Sequence, residues 1–201
     1  MIYRGQVMAM GTRLDVVLPA VNTSFGNELT HEIAELVEEW EQSLSTYRIG
    51  SAAMLINQTL SRTRSAVVND PLLWQALELA ERGYQLTQGW FNVACGRLYR
   101  LYKQGLKADN KKLKAYSGMQ FKLDKKQQQL HVNSANAFLD FGGLGKGLAL
   151  DSIQQLLLKA GVKNGFLSFG ESSILALGQH PQGGAWPVSY THLTLPTTSR
   201  V

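Results

Sequence analysis

The chain holds one cysteine, Cys95, among its 201 residues. That excludes an internal disulfide, and with it any zinc site built from several cysteines of the same chain. Charge is also scarce. Asp, Glu, Lys and Arg make up 17% of the residues, below the roughly one quarter usual in globular chains. Apolar residues reach 44%, so the balance argues against a disordered, self-solvating chain and leaves enough side chains to bury a core. No uninterrupted apolar run approaches the roughly 18 residues of a membrane span. The opening residues, Met1 to Gln6, lack the apolar stretch of a secretory signal. These absences lead us to expect one domain, or one domain with a smaller lobe, located in the cytoplasm as written. A periplasmic location is the alternative if the natural start lies further upstream.

Positive charge is what the chain has in excess, and it is unevenly placed. The formal net charge is +5, yet Lys103 to Lys126 alone holds eight lysines against Asp109 and Asp124. A basic patch can bind nucleic acid or an acidic partner. This stretch has no arginine, and its only aromatics are Tyr116 and Phe121, so it lacks the interleaved stacking rings of a single-strand binder. The expectation is a solvated lysine-rich loop and hairpin, with no nucleic-acid partner.

Hydrophobic spacing gives a coarse outline. Leu14, Val16 and Leu18 alternate as in a half-buried strand that stops at Pro19. Leu29, Ile33, Leu36, Trp40 and Leu44 form a helical stripe from Glu28 to Leu44, without a clear starting cap. Asp70-Pro71 is a cleaner start, a capping carboxylate before a first-turn proline. That helix runs through Leu73, Leu77, Ala80 and Tyr84 to an end at Gly83 or Gly89. Phe121 to Val132 reads as two short strands around a polar turn. Leu139-Asp140-Phe141 reads as a strand end, Leu148 to Ala160 as an amphipathic helix, and Gly165 to Phe169 as a buried strand broken by Gly170.

The last residues break from this pattern. No threonine occurs between Gln88 and Tyr190, but Thr191, Thr194, Thr197 and Thr198 fall within the final eleven positions. Residues 188–201 are therefore expected to be a non-native tail, with a genuine surface tail as the alternative.

The strongest local signal is the turn Gly142-Gly143-Leu144-Gly145-Lys146-Gly147. A strand, a glycine turn and a helix start together favour an anion, because backbone N–H groups and the helix dipole point there. Lys146 adds a point charge suited to phosphate. The turn is not a Walker A loop, since Asp140 stands where the first glycine belongs and Gly147 where Ser or Thr belongs. It is not a dinucleotide fingerprint either, because Leu148 occupies the third glycine position. Asp140 beside an anion-friendly turn needs a cation or a hydrogen-bond donor between carboxylate and phosphate. A Mg²⁺ ion or an amide-bearing ligand ring would serve. A plain strand-to-helix connection, with Lys146 in solvent, is the competing structural reading.

Five motifs in order resemble the ApbE family of FAD:protein FMN transferases. They are Ala9-Met10-Gly11-Thr12; Leu44-Ser45-Thr46-Tyr47-Arg48 with Ser51 and Asn57; and Thr87-Gln88-Gly89-Trp90-Phe91-Asn92. Leu139 to Gly147 with Asp151 follows, and then Asn164 to Gly178 containing Phe169-Gly170-Glu171. The resemblance implies Mg²⁺-dependent cleavage of the FAD pyrophosphate, with FMN passed to a threonine of a target flavoprotein and AMP released. It implies that Met10, Tyr47, Trp90, Phe91, Asn92, Asp140 and Lys146 line the FAD site and that the Gly143 carbonyl is a metal ligand. It also implies an α+β fold, a mixed or antiparallel sheet with packed helices and a smaller helical lobe around residues 70–115. Phosphoryl transfer depends on positioning and charge neutralisation, which agrees with the lack of any Ser-His-Asp or Cys-His set.

Departures from the family pattern matter. Asn92 stands where the family has aspartate, and no His-His block or Asp-x-x-x-Thr segment follows Trp186. Residues 1–187 thus resemble the N-terminal two-thirds of such a domain. Alternatives remain open: an FAD pyrophosphatase yielding FMN and AMP, a non-catalytic flavin-binding protein, or core roles for Tyr47 and Phe91. Cys95 reads as an apolar filler, and Glu171 as either a structural or a ligand-site carboxylate.

Overall fold

The computed structural model describes residues 1–105 and 120–187. It opens on a hairpin in which β1 (Ile2–Ala9) pairs antiparallel with β2 (Thr12–Pro19) through the two residues Met10-Gly11. Leu14, Val16 and Leu18 of β2 point inward, as their period predicts. β1 is not evident from the sequence because only Tyr3 and Val7 are buried in it. The residue between them on that face is Gly5, which has no side chain to mark the alternation.

β6 (Gly165–Phe169) pairs with β2, and β7 (Ser173–Leu177) with β6, giving a four-stranded sheet in the order β1-β2-β6-β7. A second sheet runs β3-β5-β4, with β3 at Ser65–Val67, β4 at Phe121–Asp124 and β5 at Gln129–Val132. Every pairing in both sheets is antiparallel. The expected α+β architecture is therefore the one observed.

Helix α1 spans Thr23–Leu44. It begins earlier than the Glu28 suggested by the apolar stripe, because the Asn22 side chain accepts a hydrogen bond from Phe25 N at 2.9 Å and caps it. α2 (Ala52–Thr63) has no clear stripe in the sequence and starts at Ser51, whose hydroxyl accepts from Met54 N at 3.2 Å. α3 (Pro71–Leu86) starts as predicted, with Asp70 accepting from Leu73 N at 2.7 Å. It runs through Gly83. The stop is Gly89, at φ +87°, whose N–H closes onto the Tyr84 carbonyl at 2.8 Å. α4 is Gly96–Lys103 and α5 is Gly145–Lys159.

Helix α1 packs against β1 and α5, and its buried Leu29, Ile33, Val37 and Trp40 belong to the same core cluster as Leu14, Leu18, Ile153 and Leu157. Trp40 Nε1 donates to Ser152 Oγ at 3.0 Å, so the largest core ring keeps its one polar group satisfied. α2 and α3 lie against β3 and β4 respectively. The expected helical lobe around residues 70–115 thus contains α3 and α4, but a three-stranded sheet accompanies α3. Its residues 106–115, most of the lysine-rich stretch and the tail at 188–201 lie outside the described residues.

One expectation is corrected. Leu139-Asp140-Phe141 does not end a strand; the only bridge nearby is a single parallel one between Cys95 and Phe138. Extended backbone is held there by other means. Phe138 N donates to Ala94 O at 3.1 Å, Asp140 N donates to Val93 O at 2.9 Å, and the Asn57 side chain grips Leu139.

Candidate functional site

Three segments far apart in sequence converge on one cleft of about 380 Å³. The β1–β2 turn brings Met10, the end of α1 brings Glu41, and the loop after it brings Thr46 and Tyr47. The segment entering α5 brings Asp140 and Lys146. A second hollow of about 310 Å³, lined by Asn92, Cys95, Tyr99 and Gly143, shares Asp140 and Gly142 with the first. Asp140 therefore stands on the divide between the two.

The glycine turn is built as a strap around that carboxylate. Asp140 Oδ1 accepts from Gly142 N at 2.9 Å, and Leu144 N and Gly145 N both close onto the Phe141 carbonyl at 2.9 Å. α5 then starts with no side-chain cap, so its positive dipole end faces the cleft unneutralised by a capping carboxylate. Lys146 is half-buried rather than loose in solvent. Its Nζ donates to Ser172 Oγ at 3.0 Å and lies 5.8 Å from the Phe169 ring centroid. The turn between β6 and β7 thereby fixes the cleft's cation.

The other expected site residues divide into two groups. Met10, Tyr47, Asp140 and Lys146 share the first cleft, while Asn92 and Gly143 line the second hollow. Asn92 Oδ1 accepts from Ala94 N at 2.9 Å, a local turn bond that aspartate could equally make. Phe91 lines neither space; its ring packs against Gly83 and Gly143. Trp90 is 92% exposed and also lines neither. Glu171 is exposed, on a left-handed turn at φ +57°.

Three residues that sequence reasoning missed belong to this region. Glu41 Oε2 accepts the Met10 N–H at 2.8 Å. Arg100 lies with its guanidinium carbon 4.1 Å from the Phe138 ring centroid and 5.2 Å from that of Tyr47, and its Nη2 donates to the Thr46 carbonyl at 3.0 Å. Its buried Nε has no acceptor among the described residues. Lys103 sits over the Tyr99 ring, and hydrogen bonding to the Tyr99 hydroxyl raises its pKa, with a smaller push from the Asp140 carboxylate. Helical spacing could suggest only the i,i+4 pairing of Tyr99 with Lys103 on α4; the partners of Glu41 and Arg100 come from other elements.

Elsewhere, Arg48 hydrogen-bonds Glu38 at the surface, lowering the carboxyl pKa and raising that of the guanidinium. Burial raises the Cys95 pKa, in keeping with its reading as a filler rather than a nucleophile. Among the described residues, no three of His, Cys, Asp and Glu converge to hold a metal. One carboxylate already bound to a backbone N–H and one glycine carbonyl do not make an oxygen cage for Mg²⁺, which needs near-octahedral donors.

The sequence profile of the ApbE family matches residues 10–200. A relative named FAD:protein FMN transferase from Escherichia coli (strain K12) is 24% identical over 194 residues, covering 90% of this chain and 54% of its own length. The chain thus spans about half the length of that curated relative. The solved structure of the flavin transferase ApbE from Vibrio cholerae superposes with a TM-score of 0.78 at 22% identity, covering 94% of this chain and 63% of that one. The apo flavinyl transferase ApbE of Pseudomonas stutzeri gives a TM-score of 0.77 at 18% identity, covering 94% and 65%. These likenesses establish the fold. Among the described residues no helix is long and apolar enough to cross a membrane.

Proposed function

Because the chain belongs to the ApbE family, we propose that it acts in FAD:protein FMN transfer, with its cleft as the FAD site. The observation that carries this reading is the meeting of Met10, Tyr47, Asp140 and Lys146 in one cleft. Those residues come from three motifs separated by most of the chain. An uncapped helix start beside a fixed lysine suits a pyrophosphate. Asp140, one oxygen of which is held by Gly142 N–H, is placed to accept from an amide-bearing ring. In this reading Asn92 and Gly143 bound the neighbouring part of the ligand, and Phe91 supports the glycine turn from behind. Trp90 covers the ligand from the exposed rim.

The reaction is transfer of the FMN phosphoryl group from FAD to a threonine hydroxyl of a target flavoprotein. The threonine oxygen bonds the FMN-side phosphorus, the pyrophosphate bridge breaks, AMP leaves with the bridging oxygen, and the hydroxyl proton is lost. The chain's own residues bind and orient FAD and offset its charge, which is most of what phosphoryl transfer asks of a protein. Magnesium belongs to the reading through the resemblance. The described residues do not hold it by themselves, and no step above runs through it. We further propose that residues 1–187 correspond to the N-terminal two-thirds of such a domain and residues 188–201 to a non-native tail. The family match runs on to residue 200, so that boundary rests on composition.

The test is titration of the chain with FAD, followed by flavin fluorescence, and then incubation with Mg²⁺ and a threonine-bearing acceptor peptide. Saturable FAD binding together with AMP release and a peptide carrying covalent FMN supports the proposal. Release of FMN and AMP whether or not peptide is present indicates a pyrophosphatase. Binding without AMP release indicates a flavin-binding protein, and no binding of FAD overturns the site assignment.

A further inference from the structure

The β1–β2 hairpin turns on Met10 and Gly11, with Ala9 paired to Thr12 across the two-residue loop. Both central residues have positive φ, +49° at Met10 and +70° at Gly11. A two-residue turn of this kind matches the right-handed strand twist, and its first position is favoured by Asn, Asp or Gly. Methionine there carries a Cβ into a left-handed conformation that the turn itself does nothing to stabilise. A residue held so persists only where its surroundings over-determine it, and such places cluster at ligand sites.

The over-determining group is Glu41. Its Oε2 accepts the Met10 N–H at 2.8 Å from the last turn of α1. A bond from a backbone N–H to a carboxylate is stronger than one to a neutral acceptor. On the other side, a Cβ placed at Gly145 would stand 4.0 Å from Met10 Sδ, so the thioether lies against the start of α5. Met10 and Glu41 both line the first cleft. An Asn-Gly pair would build the hairpin without help, so the hairpin alone does not call for methionine or for a carboxylate at its back.

We infer that Glu41 is a positioning residue of the cleft: it clamps the Met10-Gly11 turn in its left-handed form and so delivers Met10 to the ligand. The link to ligand affinity rests on the proposed FAD site, whereas the clamp itself is a property of the unliganded chain. The two are therefore measured separately, on the whole chain and on its Glu41→Gln and Glu41→Leu variants. Gln keeps an acceptor oxygen at the same reach, and Leu removes it.

In amide hydrogen exchange without ligand, Glu41→Leu is expected to lower protection of the Met10 amide at least tenfold, and Glu41→Gln to keep it within about threefold of the parent. FAD titration is expected to follow the same order, with at least tenfold weaker binding for Leu and near-parent binding for Gln. If Glu41→Leu does not fold, Glu41→Ala takes its place. Unchanged Met10 protection in the Leu variant overturns the inference, as does a Gln variant as impaired as Leu. If the parent chain fails to bind FAD, the proposed function fails, and Met10 exchange alone decides the clamp.

Discussion

The Asn57 side chain closes a two-way clasp on Leu139: its Nδ2 donates to the Leu139 carbonyl at 3.0 Å, and its Oδ1 accepts the Leu139 N–H at 2.7 Å. Asn57 is buried in α2, and Leu139 is fully buried just before Asp140. The clasp does for this segment what a neighbouring strand would otherwise do, and it sets the backbone from which Asp140 projects. Asn57→Ala would leave a buried N–H and a buried carbonyl unpaired, at about 1–3 kcal/mol for each group. We expect a loss of about 2–6 kcal/mol in urea unfolding. A loss below about 1 kcal/mol would show that solvent or a shifted backbone satisfies Leu139 and that the clasp is dispensable.

Asp140→Ala and Lys146→Ala test the charge logic of the cleft. Each removes a charged hydrogen-bonding group of the kind worth about 1.5–3 kcal/mol, which corresponds to FAD binding weaker by about 10- to 100-fold. Lys146 is tied to an exposed hydroxyl on Ser172, so its loss should cost little stability. FAD titration and thermal unfolding of both variants check this. Affinity unchanged in both would sink the assignment of the cleft.

Cys95 should be a slow thiol. Burial raises its pKa above the ordinary value, so the protonated form prevails further into the alkaline range and the thiolate that attacks a disulfide reagent is scarce at neutral pH. The same shift couples to folding. The native state keeps a proton that the unfolded thiol loses, so this contribution is fully present below the unfolded pKa and falls away as pH rises toward the folded one. The measurement is the rate of reaction with an aromatic disulfide reagent from neutral to alkaline pH. A native rate at neutral pH equal to that of the urea-unfolded chain would contradict the burial.

How much of this was legible in the sequence depended on whether the controlling contact was local. The α3 start was legible because Asp70 and Pro71 carry their own cap, and β2 because Leu14, Val16 and Leu18 alternate. β1 was hidden by Gly5 at a core-facing position, and α1 began at a cap, Asn22, that precedes its apolar stripe. In the site, Asp140 and Lys146 stand out from the glycine turn itself, Met10 and Tyr47 only through a family likeness, and spacing gives no sign that the three segments meet. Glu41 and Arg100 stayed invisible for the same reason. One acts on a backbone N–H 31 positions away and the other on a carbonyl 54 positions away. Neither partner has a side-chain type that would advertise the contact. The apparent strand end at Leu139 misled because apolar, extended residues look alike whether strands or an asparagine hold them.

One substitution made at two glycines should give opposite signs. Gly96 opens α4 directly beside the Asp140 segment, and a Cβ there would come within 2.7 Å of both Asp140 Cβ and the Phe138 carbonyl oxygen. The latter is backbone that itself accepts the Gly96 N–H at 2.9 Å, so it cannot swing aside. Gly96→Ala must therefore push α4 away from residues 138–140, disturbing the Arg100 contacts with Phe138 and Thr46 as well as the placement of Asp140. Overpacking of this kind costs about 1–3 kcal/mol, and FAD affinity should fall with it. Gly147, in the first turn of α5, has nothing within 4 Å of such a Cβ and no left-handed φ. There alanine removes only the unfolded chain's extra freedom and adds helix propensity, so Gly147→Ala should stabilise by about 0.4–1 kcal/mol. Urea midpoints of the two variants against the parent decide it. Equal shifts of the same sign would mean that chain flexibility, rather than the close approach of α4 to Asp140, governs both positions.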